Sequence, residues 1–324
     1  MGGLSRKYTA VNTLRSGGVD PIILDAGDLL FPANKINKSN YKSEIFRAST
    51  ILNGFEKIGC DVVNVGQYEF ASGYKQLRDL ISSTSIPFIS ANLIDSKTKK
   101  LIFKPYKLIK RGGITFGVIG VTDLVPDSIN GVTIDDYEIA GSSYLKAMRD
   151  KVDVTILLVN SARSTYKDLP RTFSDADIIF TSGSTFLTRP MMNQREEGPY
   201  VFSCGREGRY LNQVDVSLVD RTSTIINRSY YEAKITYLNK RMDRYRDKDP
   251  SVPIAKLYED QPAILDMIDT GRKDVLKMKN ILSKRSNSIQ FQNISMDSGV
   301  SDDPNILEYI NDALDKYSKM VDGQ

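Results

Sequence analysis

The sequence contains no histidine and no tryptophan, and it has only two cysteines among 324 residues. Without imidazole, a protein lacks the commonest general base and the commonest borderline metal ligand. Histidine-dependent hydrolases, and zinc or iron sites built on histidine, are therefore excluded. Cys60 and Cys204 are also too few for a disulfide framework or a four-cysteine metal site.

Neither positive nor negative charge predominates, and long apolar runs are scarce. The 44 Lys and Arg residues nearly balance the 40 Asp and Glu residues, so the formal net charge of +4 gives no reason to expect a nucleic-acid partner. No apolar run approaches the roughly 18 residues of a membrane span, and the N-terminal residues lack the basic and apolar pattern of a secretory signal. With 40% hydrophobic and 26% charged residues, the composition is that of a globular chain with one large domain plus an appendage, or two domains.

From Pro21 to about Asp220, short β-branched runs alternate with longer amphipathic segments, which is typical of a layered α/β domain. Gly112-Gly113 lies between two apolar runs and predicts a β-hairpin, so the sheets are expected to be mixed. The predicted strands are residues 21–25, 61–65, 87–91, 105–110, 114–121, 154–159, 177–181, 200–203 and 211–218. The predicted helices in this region are residues 43–57, 74–82, 143–151 and 166–173.

Beyond Ile235 the pattern becomes helical, with many charged and few β-branched residues. Apolar residues within 254–284 recur at separations of three, four and seven, which predicts one apolar stripe on a helix. Pro262 is expected near a helix start or a kink, and Asp303-Pro304 is expected to open a final helix. This pattern favours a helical hairpin that packs on the domain or on itself over a partner-binding coiled coil.

Polar residues follow the apolar strands, where ligands collect in open α/β sheets. These strand ends are Asp25–Asp28, Gly66–Phe70, Ser90–Asn92, Asn160-Ser161 and Ser182–Phe186.

Several of these segments resemble sequence blocks of one family. Over roughly its first two-thirds, the chain resembles the N-terminal catalytic domain of the 5'-nucleotidase family of calcineurin-like metallophosphatases. The matching blocks, in chain order, are Gly2–Arg6, Leu24–Asp28, Gly66–Phe70, Ser90–Asn92, Gly117–Gly120 and Gly208–Asn212.

This resemblance implies a four-layer α/β sandwich of two mixed β-sheets flanked by helices over residues 1–220. A connecting strand and a helical C-terminal extension would follow over residues 221–324. The first strand of the family, which carries an Asp-x-His motif, would lie before Met1, so the domain is expected to be shortened.

The family's metal ligands are largely replaced in this chain. Asp28 matches the bridging aspartate, but Gln67 stands at the asparagine ligand and Tyr68 at the catalytic histidine. Asn160 stands near the lone histidine ligand, and Ser184 and Phe186 stand at the two histidines of a Gly-His-x-His pair. The dinuclear Zn, Mn or Fe site of the family is therefore not expected.

Two interpretations of the remaining oxygen donors stay open. In the first, one hard cation such as Mg²⁺ or Ca²⁺ is held by Asp28, Asp25, Gln67 and Asn160, with Glu69 and Tyr68 at the catalytic positions. In the second, which we favour, Asp28 and Glu69 cap backbone N–H groups at strand-to-helix turns. The ligand-binding candidates are Asn92, Ser184, Arg206 and Arg209.

These replacements favour a catalytically inactive protein that acts by binding a ligand or partner. The first alternative is a residual Mg-, Ca- or Mn-dependent phosphoester hydrolase of the 5'-nucleotidase type. The second alternative is an interaction scaffold that works through the helical extension. The expected partner is a phosphate-containing small molecule, or a protein bound by the extension, and the resemblance implies a bacterial periplasmic or cell-envelope location.

Overall fold

The computed structural model describes residues 3–192, 194, 198–220 and 222–322. The strands are β1 (Leu24–Asp25), β2 (Val62–Asn64), β3 (Phe88–Ile89), β4 (Leu93–Asp95), β5 (Tyr106–Arg111), β6 (Ile114–Thr122), β7 (Val132–Ile134), β8 (Val154–Asn160), β9 (Ile178–Ser182), β10 (Tyr200–Ser203), β11 (Tyr210–Ser217), β12 (Ile226–Asn227) and β13 (Ser288–Ser295). The helices are α1 (Leu4–Ser16), α2 (Tyr41–Ile58), α3 (Tyr74–Ser82), α4 (Tyr137–Met148), α5 (Leu169–Thr172), α6 (Arg228–Arg246), α7 (Ile254–Leu257), α8 (Pro262–Ser283) and α9 (Pro304–Asp322).

Two larger sheets organise the α/β region, as the sequence predicted. The five-stranded sheet has the order β10-β9-β8-β6-β5, with β5 antiparallel to β6 through the predicted Gly112-Gly113 turn and the other pairs parallel. The three-stranded sheet has the order β1-β2-β3 and is parallel, because helical segments rather than hairpins connect its strands. The prediction of two mixed sheets therefore holds for the five-stranded sheet and not for this one. A second three-stranded sheet, β11-β13-β12, and a two-stranded sheet, β4-β7, contain the other strands of the described residues.

The two larger sheets approach each other closely at a glycine. The side-chain amide of Asn64, on β2, donates to the backbone carbonyls of Ala26 and Val121, each at 3.0 Å. A Cβ atom on Gly120 would lie 2.3 Å from Asn64 Oδ1, so any larger residue at position 120 would push β2 and β6 apart. Apolar clusters fill the interior on both sides of this contact, including Leu52 and Val63 in one cluster and Ile119 and Leu157 in the other.

The chain divides into two compact units. The first contains the described residues within 1–188, 198–212 and 293–324, and the second contains those within 189–197 and 213–292. This division differs from the predicted boundary after residue 220, because the last helix belongs to the first unit. Contacts between residues far apart in the sequence hold the last helix in the first unit. Arg6 pairs with Asp302 at 3.2 Å, and the Tyr309 hydroxyl donates to the carbonyl of Thr50 at 3.2 Å.

The second unit contains the helical hairpin that the apolar stripe predicts. Helices α6 and α8 pack on each other through buried Leu238, Ile268 and Val275. Gly271 of α8 faces Met242 of α6, since a Cβ atom there would lie at van der Waals distance, 3.4 Å, from the Met242 sulfur. Pro262 occupies the start of α8, where its missing N–H removes no helical hydrogen bond. Within the described residues, none of the helices combines the length and apolar character that crossing a membrane requires.

Candidate functional site

The strand ends of the two larger sheets meet at one place in the first unit. Asn160, the last residue of β8, pairs in register with Thr122 at the end of β6 and with Ser182 at the end of β9. Asp28 and Gln67 follow β1 and β2 in the neighbouring sheet. We call the side chains of Asp28, Glu69, Thr122, Asn160 and Ser182, with the backbone amide of Gln67, the strand-end cluster.

Asn160 is the centre of the strand-end cluster, and its side chain is fully buried. Its Nδ2 atom donates to Asp28 Oδ2 at 2.9 Å and to Ser182 Oγ at 2.8 Å. Its Oδ1 atom accepts from the backbone N–H of Gln67 at 3.1 Å and from the Thr122 hydroxyl at 3.2 Å. The amide therefore uses two donors and two acceptor positions, which is all it has, and it is not left with an oxygen lone pair for a metal ion.

Glu69 is also fully buried, and backbone amides surround its carboxylate. The Oε2 atom accepts from the N–H of Asp28 at 2.9 Å and of Gly66 at 2.7 Å. The Oε1 atom accepts from the N–H of Leu29 at 2.7 Å and of Leu30 at 3.1 Å. Burial, and to a lesser extent the charge of Asp28, raises the pKa of Glu69, while the N–H donors oppose this. The Glu69 carboxylate therefore connects the turn after β1 with the turn after β2.

Asp28 adopts a left-handed backbone conformation, with φ at +65°. Its Oδ1 atom accepts from the N–H of Tyr68 at 2.9 Å, while Oδ2 binds the Asn160 amide. Gly66 leaves room for the Asp28 carboxylate, because a Cβ atom at position 66 would lie 2.7 Å from Asp28 Oδ1. Burial raises the pKa of Asp28, and the hydrogen bonds from Tyr68 and Asn160 lower it. The contacts of Asp28 and Glu69 are those expected of residues that cap backbone N–H groups.

Gln67 and Tyr68 contribute to the strand-end cluster through their backbone. The Tyr68 side chain is half-buried and packs against the apolar cluster that includes Leu30 and Phe70. The Tyr68 ring is therefore held by apolar contacts.

Asp25 lies beside the strand-end cluster, and its Oδ1 atom accepts from the N–H of Gly27 at 2.9 Å. Burial raises the pKa of Asp25 to about 6, the charge of Asp28 adds to this, and the Gly27 N–H and the charge of Lys7 oppose it. Sequence analysis missed Lys7, whose ammonium lies 5.5 Å from the centre of the Phe55 ring. Its only sequence signal was its position one residue after the Gly2–Arg6 block.

The predicted ligand-binding residues are not brought together. Asn92 is fully buried, donates to the carbonyls of Thr122 at 2.7 Å and Asp135 at 3.0 Å, and accepts from the N–H of Thr122 at 3.0 Å. It therefore connects loops inside the fold and is not accessible to a ligand. Ser184 accepts from the N–H of Phe186 at 3.2 Å, in the loop after β9.

The two predicted arginines lie in the loop after β10. Arg206 is exposed, and Arg209 pairs with Glu207 at 2.9 Å. Lys7 reaches the same loop, since a Cβ atom on Gly208 would lie 2.6 Å from its Nζ atom. Lys7, Arg206 and Arg209 therefore place positive charge at the loop after β10, beside the exposed carboxylate of Glu207.

The donors of the strand-end cluster do not fit a divalent cation. Hard cations need six or more oxygen ligands from carboxylates, carbonyls and water. In the described part of the chain, no group of three or more Asp, Glu or Cys side chains is arranged to hold a metal ion. The carboxylate oxygens of Asp28 and Glu69 already accept hydrogen bonds from the protein.

Comparison with known sequences identifies similar nucleotidases and nucleotide phosphodiesterases, although no protein-family model matches the chain. A probable 5'-nucleotidase of Treponema pallidum is 23% identical over 251 residues, which is 69% of this chain and 41% of that protein. A 5'-nucleotidase of Vibrio parahaemolyticus is 32% identical over 121 residues, which is 37% of this chain and 21% of that protein. The chain thus spans less than half the length of these relatives.

Solved structures match over a larger share of the chain. The calcineurin-like phosphoesterase YfkN from Bacillus subtilis superposes with a TM-score of 0.63 at 15% identity, covering 99% of this chain and 90% of that one. A 5'-nucleotidase precursor from Thermus thermophilus superposes with a TM-score of 0.56 at 19% identity, covering 69% of this chain and 47% of that one. At these identities the likeness concerns the fold, and in the first case it extends over both compact units.

Proposed function

We propose a non-catalytic binding role for this chain, which belongs to the 5'-nucleotidase family of calcineurin-like metallophosphatases. The observation that carries the proposal is the Asn160 amide, which donates to Asp28 and accepts from Gln67 at the strand ends. In the family that the sequence resembles, metal ions join these strand ends. In this chain, direct hydrogen bonds join them instead. A protein with this arrangement keeps the family fold without a metal-activated nucleophile.

The alternative is a residual phosphoester hydrolase that uses one Mg²⁺, Ca²⁺ or Mn²⁺ ion. It would need free oxygen donors near Asp28 and a proton donor for the leaving group. The engaged carboxylates and the packed Tyr68 ring argue against both requirements. Because Asp28 and Glu69 are still carboxylic side chains, however, the experiment must test for metal-dependent hydrolysis.

The ligand we propose is a small molecule that carries a phosphate group. Lys7 and Arg206 supply positive charge at the loop after β10, and Arg209 adds a guanidinium group that would have to leave Glu207 before it could hold a phosphate in two hydrogen bonds. The named relatives act on nucleotides, which carry such groups. A periplasmic or cell-envelope location is part of the same proposal and rests on the family alone.

The test combines metal content with turnover and binding. Metal-stripped protein is mixed with Mg²⁺, Mn²⁺, Ca²⁺ or Zn²⁺ and assayed on p-nitrophenyl phosphate, bis-p-nitrophenyl phosphate and AMP. We expect no stoichiometric metal and no turnover. Turnover that disappears in Asp28→Ala would contradict the proposal and establish the hydrolase alternative.

Binding is measured by calorimetry with inorganic phosphate and AMP. We expect Lys7→Ala and Arg206→Ala to weaken binding of AMP about tenfold each, since each removes one charge-assisted contact. Lys319→Ala, which removes an exposed lysine on α9, is the matched control and should bind as the unchanged protein does. Equal affinity in all four proteins, or no binding at all, would exclude this ligand site.

A second candidate function is partner or ligand binding by the second unit. A cavity of about 490 Å³ lies there, lined by Asn239, Met242, Asp243, Arg246, Ile254, Arg272, Val275 and Leu276. Leu276 is exposed, so it is available to a bound molecule. A ligand whose binding is lost in Leu276→Lys but kept in Lys7→Ala would assign binding to this unit and not to the strand ends.

A further inference from the structure

The cavity of the second unit lies between three helices. The C-terminal half of α6, the short helix α7 and the middle of α8 line it, and its volume is about 490 Å³. Sites for small molecules in proteins have volumes of about 300–1,000 Å³. The cavity is therefore large enough for a small organic molecule.

Most of the less exposed residues that line this cavity are apolar. Val275 is buried, and Met242 and Ile254 are half-buried. Leu276 also lines the cavity, and its side chain is 62% exposed. An apolar segment of a bound molecule would remove these side chains from water, which is the main favourable contribution to such binding. The cavity therefore favours a ligand with an apolar part.

The charged residues that line the cavity leave one positive charge without a partner. Arg246 pairs with Asp243 at 3.6 Å, so these two charges balance each other. The side chain of Arg272 forms no ion pair or hydrogen bond within the described part of the chain. A guanidinium group binds a carboxylate through two parallel N–H···O bonds. The cavity therefore also favours a ligand with one negative charge.

The other cations of α8 do not line the cavity. Lys273 pairs with Asp269 at 2.7 Å. Lys277 is exposed and lies five residues after Arg272, which places it about 140° around the helix. Lys277 is therefore a matched control for Arg272, since it carries the same charge on the same helix but on a different side.

We propose that the cavity binds a small aliphatic carboxylate. The carboxylate group contacts Arg272, and the hydrocarbon chain lies against Met242, Ile254 and Val275. A carboxylate has one negative charge, whereas a phosphate monoester has nearly two at neutral pH and would leave one of them unbalanced. This inference deepens the second candidate function, ligand binding by the second unit, and needs no phosphate or metal at the strand ends.

The test is equilibrium dialysis of the full chain against radiolabelled octanoate at neutral pH. We expect saturable binding of a single octanoate by each chain. Octan-1-ol has the same hydrocarbon chain without the charge, and it should bind about tenfold more weakly because it forms no charge-assisted contact. Octyl phosphate should bind no more tightly than octanoate. These comparisons use the unchanged protein and need no variant.

Variants then assign the two parts of the ligand to residues. Arg272→Gln should weaken octanoate binding about tenfold and abolish the preference over octan-1-ol, whereas Arg272→Lys should keep part of that preference. Leu276→Asn should weaken the binding of both ligands about threefold, because it removes an apolar contact and no charge. Lys277→Ala and Lys7→Ala should bind octanoate as the unchanged protein does. Arg272, Leu276 and Lys277 are exposed, so these variants should keep the circular dichroism spectrum of the unchanged protein.

Several results would overturn the proposal. Octanoate binding that Arg272→Gln leaves unchanged, or that Lys277→Ala or Lys7→Ala weakens as much, would rule out the assigned contact. Uptake of octanoate without saturation, or no uptake, would rule out a site for it in this cavity.

The ligand class can fail while binding by the second unit stands. Equal binding of octan-1-ol and octanoate would exclude an anionic ligand, and tighter binding of octyl phosphate would replace the carboxylate by a phosphate ester. Either result still places a ligand in the cavity if Leu276→Asn weakens its binding. The binding of AMP, measured separately, decides on the strand-end proposal and does not depend on these outcomes.

Discussion

The strand-end cluster and the exposed apolar residues of α9 belong to the same compact unit but place their side chains in opposite environments. In the cluster, polar groups are buried and their hydrogen-bonding capacity is used inside the chain. On α9, Leu307, Leu314 and Val321 are 37%, 56% and 37% exposed, and we call these three residues the outer stripe of α9. The comparison teaches that polar residues at strand ends can be buried through hydrogen bonds within the chain, while apolar residues on an outer helix stay in contact with solvent.

The largest expected effect is the loss of the Asn160 amide. Asn160→Ala leaves the Gln67 N–H and the Asp28 carboxylate without their buried partner, and it opens a cavity. We expect the free energy of unfolding to fall by about 3–4 kcal/mol, as measured by urea denaturation followed by circular dichroism. Asn311→Ala, an exposed position on α9, is the control and should change it by less than about 0.5 kcal/mol. A loss below about 1 kcal/mol at position 160 would show that the cluster does not stabilise the fold.

Glu69→Gln should have the next largest effect. The carboxamide keeps one acceptor oxygen but turns an NH₂ group toward two of the four backbone donors. We expect a loss of about 2–3 kcal/mol in the free energy of unfolding. Glu308→Gln, on the exposed face of α9, is the matched control and should have little effect; equal effects at the two positions would remove the contrast between the two regions.

Asp25→Asn should have a smaller effect that depends on pH. Because the pKa of Asp25 is raised to about 6, the folded state holds this proton more tightly than the unfolded state does. The resulting stabilisation is fully present below the ordinary pKa of about 3.9 and is lost as the pH rises through about 6. At about pH 7.5, Asp25→Asn should therefore raise the free energy of unfolding by about 1 kcal/mol, after allowing for solvent screening.

The difference between Asp25→Asn and the unchanged protein should disappear toward pH 4. It is measured by urea denaturation at several pH values. A variant that is destabilised at every pH would show that the hydrogen bond to Gly27 outweighs the burial of charge.

The smallest effect should come from Leu314→Lys on α9. Because Leu314 is more than half exposed, the free energy of unfolding should change by less than about 0.5 kcal/mol. Leu52→Ala, in the buried face of α2, should by contrast cost about 2–5 kcal/mol. A large loss from Leu314→Lys would mean that the outer stripe is packed within the chain.

Much of the fold could be predicted because strand and helix patterns are local. The β5–β6 hairpin was predicted from two glycines between apolar runs, and its register is regular from Arg111 and Ile114 to Tyr106 and Ile119. Helix α3 has the predicted bounds. The place of α9 in the first unit was not predictable, because the contacts that fix it join residues about 300 positions apart, such as Arg6 and Asp302.

The contacts of Asp28 and Glu69 with backbone N–H groups agree with the favoured interpretation of the sequence, whereas the partners of Asn160 and Asn92 were not predicted. The polar strand ends do meet, because neighbouring parallel strands end at the same edge of a sheet. Asn92, predicted to bind a ligand, is instead buried, since its amide matches two carbonyls and an N–H group that only the folded chain brings together. Lys7 was missed because the sequence does not reveal which loop a helix faces.

By itself, the sequence determined which side chains are absent: a chain without histidine cannot supply an imidazole ligand or base, whatever its fold. It also determined the layered α/β class, since the periodicity of apolar residues sets which segments become strands and helices. Only the tertiary structure decided what the remaining polar residues do. Asn160 and Asp28 are separated by 132 positions, and a hydrogen bond depends on atoms brought within about 3 Å of each other by the packing of two sheets.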